Sequence, residues 1–217
     1  KSAAGIAWRF PLWQPGRSNK SPRPASLCKA IPLLGTLLFI SAGALAEEEM
    51  RNLVDDARRA SIQLLTQIRG EVTKEMDRTG PIRAIVVCKY SAPEITSVIS
   101  RQTGMRVTRV ALRVRNRALG EADPWEQQAL LDFEKRLAKG EKAESLEAAE
   151  IINEPAGKVF RYAKAIPMGQ PCLACHGPVT GLSDAVKAQL ATEYPHDRAV
   201  DFQLGQIRGA VSVKKSL

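Results

Sequence analysis

In the stretch "VTRVALRVR", Val110, Leu112 and Val114 alternate with Arg109, Arg113 and Arg115, a period of two that suits a half-buried strand. Upstream the period is that of a helix. From Glu47 to Arg78, Met50, Leu53, Val54, Ala57, Leu64, Leu65, Ile68, Val72 and Met76 fall on one stripe, with the acidic Glu47–Glu49 at its start. One chain holding both periods, helices first, is expected to be α+β: an antiparallel sheet with helices packed on one side.

Other signals fill in this frame. "TGP" ends the first helix, and Pro81 suits the first position of a second one that carries Ile85 and Cys88 and is expected to break near Pro93. A helix over Glu94–Gln102 should stop at Gly104. Asp123, Pro124 and Glu126 form a capping-box start for a helix whose buried face is Trp125, Ala129, Phe133 and Leu137. Strands are expected around Ala149–Ile152 and Lys158–Ile166, split by the turn "NEPAG". "LSDAVKAQLATEY" reads as a short helix. "IRGAVSVKK" reads as a last strand in which Gly209 permits close backbone approach.

The first 46 residues read differently. "AIPLLGTLLFISAGALA", Ala30 to Ala46, is uncharged, follows Arg23 and Lys29, and ends small-x-small at Ala44-Leu45-Ala46. This is the order of a secretory signal peptide. A spanning helix needs roughly 20 apolar residues, and this shorter run holds Pro32, Gly35 and Gly43. Residues 1–46 are therefore expected to be a cleaved leader, with 1–26 as an upstream extension, and 47–217 a single exported domain. Residues 1–46 hold six of the 32 basic residues and none of the 23 acidic ones, so the net charge of +9 falls to +3 for residues 47–217. No basic arm or aromatic platform remains to indicate nucleic-acid binding, and no membrane span is expected after cleavage.

In "QPCLACHG", Cys172 and Cys175 lie two residues apart and His176 follows directly. Zinc needs four ligands, and outside this motif residues 47–217 offer only Cys88 and His196. A thioredoxin-like pair should follow a strand and open a helix, whereas Pro171 precedes this pair and Gly177-Pro178 follow it. Covalent haem needs two sulfurs placed for the two vinyl groups and an imidazole for the iron. CxxCH in an exported chain supplies both. The expected cofactor is one haem c, on thioethers from Cys172 and Cys175 with His176 as proximal ligand.

"CKYSAPEI", "VALRVRN", "DPWEQQALLDFEK", "CLACHG" and "GQIRGAVSV" occur in the order and at about the intervals of a bacterial family of single-haem domains, which residues from about Glu47 to Leu217 resemble. The resemblance implies a PAS-like fold and a place either as a stand-alone exported protein or as the extracytoplasmic part of a sensor kinase. The stand-alone form is the one this chain resembles.

Cys88 is the odd thiol of an exported chain: buried, paired between chains, or bound to something. Its segment matches the family, and it is the first choice for distal iron ligand. Met168, His196, Met105, Met76 and Met50 are the alternatives, as is an open iron, although core filling is the ordinary role of methionine. Arg113 and Arg161, with Arg115 and Tyr162 beside them, are candidates to receive the haem propionates. The function expected is redox or small-ligand sensing in the periplasm or a lumen such as that of the thylakoid. Periplasmic electron transfer is the alternative. Enzymatic activity is not expected; a peroxidase would need an acid–base residue beside an open iron, which only His196 could be. The partner, a redox or signalling protein, is not named by the sequence, and a homo-oligomer is compatible with it.

Overall fold

The computed structural model describes the backbone from Leu34 and the side chains from Gly43. Most of the expected leader lies outside the described residues. Among these, no helix is long and apolar enough to cross a membrane.

Helix α1, Leu34–Thr79, extends upstream of the expected start at Glu47. Its buried stripe is Leu53, Ala57, Ala60, Leu64 and Ile68. Ser61, buried among them, donates its hydroxyl to the Ala57 carbonyl at 2.8 Å. Gly80, at φ 78°, turns the chain, and Pro81 opens α2, Pro81–Val86. The expected break at Pro93 does not occur. A π-helical segment, Val87–Ser91, runs directly into α3, Ala92–Thr103. Pro93 has no N–H for the carbonyl four residues back and its ring crowds that carbonyl. The wider turn, in which the Ala92 N–H reaches back to Val87, relieves this without ending the helix. Cys88 lies within that segment. Gly104, at φ 66°, ends α3.

Four antiparallel strands follow: β1 Arg106–Val110, β2 Glu147–Glu154, β3 Gly157–Pro167 and β4 Ile207–Ser216. Their order is β1-β4-β3-β2. The intervening helices are α4 Arg117–Gly120, α5 Pro124–Ala138, α6 Leu173–His176 and α7 Asp184–Glu193. The architecture is thus α+β, as expected, but the helices are not confined to one side. Val107, Phe160, Tyr162, Val211 and Val213 pack under α1 and α3. Val110, Ala163, Ala165 and Ala210, on the opposite face by the pairing register, pack under α5.

The capping box of α5 is present. Asp123 accepts from the Glu126 N–H at 2.9 Å, and Glu126 accepts from the Asp123 N–H at 2.8 Å. Ala129 and Phe133 are buried as expected, with Glu126 and Leu130 added; Trp125 and Leu137 are half-buried. Burial alone would raise the Asp123 carboxyl. Hydrogen bonds from Lys214, the Glu126 N–H and Arg161 outweigh it and hold the group at about 2. A depressed carboxylate stabilises the fold above its unfolded pKa, near 4, and loses that contribution as pH falls through 2. The shift corresponds to about 2 kcal/mol. Denaturant titrations at pH 6 and near pH 2 should show Asp123→Asn losing less stability on acidification than the native chain by about that amount. Equal losses would contradict the assignment.

The expected strand over "VTRVALRVR" is cut short. β1 ends at Val110, and Ala111 makes an isolated bridge to Glu121. Leu112 to Arg115 leave the sheet because Arg113 and Arg115 are drawn to the carbonyls of a loop near the C-terminus, described next.

Candidate functional site

Cys172 closes a 3-10 turn, Gln170–Cys172, and Cys175 and His176 follow in α6. The turn after His176 is tight: a Cβ on Gly177 would come within 2.6 Å of the Leu173 carbonyl oxygen. Glycine is therefore needed there.

The loop from Asp197 to Phe202 is zipped onto this motif. Phe202 N–H donates to the His176 carbonyl at 3.0 Å, and Asp201 N–H to that of Gly177 at 2.9 Å. The Asp201 carboxylate accepts from the Val179 N–H at 2.8 Å. His176 Nδ1 is 2.6 Å from the Ala199 carbonyl oxygen. A carbonyl can only accept, so Nδ1 carries the proton and Nε2 keeps its lone pair. Burial, with Arg115 and Arg208 nearby, pushes the imidazole pKa well below its ordinary value, so the ring is neutral. The Phe202 ring stands edge-on to the imidazole at 6.4 Å.

Arg115 braces the assembly from the other side. Its guanidinium pairs with Asp197 at 2.9 Å and donates to the Cys175 carbonyl at 2.6 Å and the Ala199 carbonyl at 3.1 Å. Nη1 lies 3.4 Å from His176 Nε2. Arg113 stacks on Phe202, 3.6 Å from the ring centroid, and donates to the Val200 carbonyl at 2.9 Å.

Cys88 joins this group from far away in the chain. Its segment follows α2, where Ile82 and Ile85 pack with Cys175, Leu182 and Tyr194. Burial raises the Cys88 thiol, while Arg109, Arg115 and Arg208 act against it, and Cys172 lies within charge range as well. Cys175 is pushed up to about 11, chiefly by burial. Among the described residues no three His, Cys, Asp or Glu side chains converge as metal ligands would. What the site offers is two sulfurs within one helical turn, an imidazole whose unprotonated Nε2 is met by Arg115 Nη1, and a distant thiol. That donor set fits the haem expectation.

Other expected residues lie elsewhere. Arg161 is not brought to the site: it pairs with Asp123 at 2.7 Å, Glu126 at 3.4 Å and Glu154 at 3.4 Å, and stacks on Trp125. It projects from the sheet face under α5, where a buried cation needs carboxylates. The Tyr162 hydroxyl donates to Glu147 at 2.7 Å, in the core under α1. Met105 is buried in that core and Met50 packs against it. His196 is exposed and lines a different cavity with Arg117 and Arg198. Met168 is buried with Ala199 and Phe202, against Cys172. Conversely, Asp197, Ala199, Phe202, Arg109 and Arg208 belong to the site although sequence reasoning passed over them. For Asp197, Ala199 and Phe202 the one visible signal is the run "HDRAVDF", rich in charge.

The fold is similar to that in the crystal structure of the cyanobacterial heme-protein Tll0287, with a TM-score of 0.54 and 23% identity over 78% of this chain and 95% of that one. No curated protein matches the chain. The Tll0287-like family matches residues 47–216, and the chain belongs to that family.

Proposed function

We propose that the chain is an exported protein carrying one covalently bound haem c, used to sense redox state or a small ligand. Cys172 and Cys175 would hold the haem by thioethers, His176 would ligate the iron through Nε2, and Cys88 would supply a second protein ligand. When bound, the haem supplies an iron centre that exchanges electrons and takes small ligands. The observation that carries the reading is the Ala199 carbonyl on His176 Nδ1, 2.6 Å away, which orients the ring and leaves Nε2 unprotonated, the state a metal-ligating imidazole needs. The Tll0287 protein, of like fold, is a heme-protein.

The chain's own contribution is positioning. The loop from Asp197 to Phe202 holds the imidazole, Arg115 ties that loop to the CxxCH turn, and packing of α2 on α7 and Cys175 anchors the helix that leads into Cys88. Sensing rather than plain electron transfer is supported by the place of Cys88, in a π-helical turn. Such turns recur at functional sites, and this one joins two α-helices that a change of register would shift together.

The test is Cys88→Ala. Removing an anionic ligand that favours ferric iron should convert the ferric spectrum from low spin to high spin. The midpoint potential should rise on the order of 0.1 V, within the roughly 0.8 V that axial ligands span. His196→Ala should leave the spectrum as it was. A native spectrum and potential in Cys88→Ala would make Cys88 a core residue and remove the main chemical support for sensing. Export is checked separately: mass spectrometry of the mature protein should find Glu47 at the N-terminus, and a chain retaining residues 30–46 would contradict the leader.

A further inference from the structure

The cations around the CxxCH turn outnumber the anions that meet them. Arg113 and Arg115 are committed, the first to Phe202 and the Val200 carbonyl, the second to Asp197 and two further carbonyls. Arg109 and Arg208 are not. Among the described residues neither forms a salt bridge, and the Nε of Arg208 is buried with no hydrogen-bond partner. The one bond of the Arg208 guanidinium is from Nη1 to the Arg113 carbonyl, at 3.1 Å. Arg161 has an unpartnered Nε as well, but three carboxylates surround it. Burial, then repulsion by Arg115 and Arg109, pulls Arg208 down to about 10, and burial likewise lowers Arg109. Half-buried guanidiniums without a paired carboxylate are costly, and a fold keeps them where a ligand brings the anion.

Their position indicates which anion. Arg109 is on β1 and Arg208 on its neighbour β4, and both act on the charge of Cys88 and of His176. A thiolate at Cys88 would be offset by ferric iron itself, leaving the two guanidiniums unmatched. Two carboxylates match them, with the planar geometry that arginine receives well. Resting on the haem reading above, we infer that Arg109 and Arg208 are the pair that receives the two haem propionates, in place of the Arg113 and Arg161 expected from the sequence.

The experiment uses the holoprotein, with haem retention in denaturing electrophoresis and resonance Raman spectra read together. In Arg109→Gln/Arg208→Gln the propionate bending bands should shift to the lower frequency of weakly hydrogen-bonded carboxylates while the thioether-bound haem is retained. Arg208→Lys, which keeps the charge and accumulates even if the double variant does not, should shift them partway. Unchanged bands in the double variant, or in Arg208→Lys should it be the one recovered, would overturn the assignment. The same cations could take a free inorganic anion: bands and Soret position unmoved by added phosphate support the propionates, and displacement by phosphate overturns them. A native protein that releases its haem on denaturation fails the covalent reading itself, and this inference with it.

Discussion

A chain carrying both Cys172→Ala and Cys175→Ala should lose all haem signal in denaturing electrophoresis, while either single substitution should weaken it. The reason is the connection, not the fold. Both sulfurs sit in one helical turn, and each is half-buried against a different part of the interior, Cys172 by Met168 and Phe202, Cys175 by Ile85 and Tyr194. Alanine fills either place without burying a polar group, so the protein should still fold, with an unaltered far-ultraviolet circular dichroism spectrum. Haem held only through the iron by His176 would wash out under denaturant. Full retention in the double variant would mean that the sulfurs are not the attachment points.

Gly209→Ala should be among the most destabilising single substitutions in the chain. A Cβ built there lies 2.3 Å from the Val110 carbonyl oxygen and 3.2 Å from the Ala111 Cβ. The closer atom is backbone at the end of β1, held by pairing to β4, and cannot swing aside as a side chain does. Overpacking of this kind costs about 3 kcal/mol, which lowers the melting temperature of a domain this size by roughly 10 °C. The contact also sets Arg109 and Arg208 near each other, so haem-site spectra should change with stability. Gly181→Ala, where nothing lies within 4 Å of the added carbon, should be nearly neutral. A Gly209→Ala chain as stable as the native one would show that β1 and β4 are not packed so closely.

Why some features were legible in the sequence and others not follows from what each residue does in the fold. The α1 stripe, the Asp123 capping box, the hairpin of β2 and β3, and the Gly209 approach were legible because each is a local pattern with a single physical cause. The second helical layer was not. The sheet face under α5 is built largely from alanines, Ala163, Ala165 and Ala210, which do not stand out as a core. Arg161 misled in another way: alternating with Phe160 and Tyr162 it looks available to a haem propionate, yet α5 covers it and carboxylates of the chain neutralise it. Arg113 and Arg115 imitate a strand's polar face, whereas both turn inward to the Asp197–Phe202 loop. A buried arginine and an exposed one are spelled alike. The site's long-range half, Cys88 with the Ala199 carbonyl, depends on chain segments that only tertiary structure brings together.

The central claim is covalent haem on the CxxCH turn, and the most direct measurement is the absorption spectrum of the native protein, oxidised and reduced, followed by its spectrum in alkaline pyridine. The haem should stay with the polypeptide through acid-acetone extraction, and its reduced pyridine complex should absorb at the position of a haem with both vinyl groups saturated by thioethers. Haem that extracts into acetone, with the pyridine spectrum of intact vinyl groups, or a protein purified with zinc and no haem, would contradict the account.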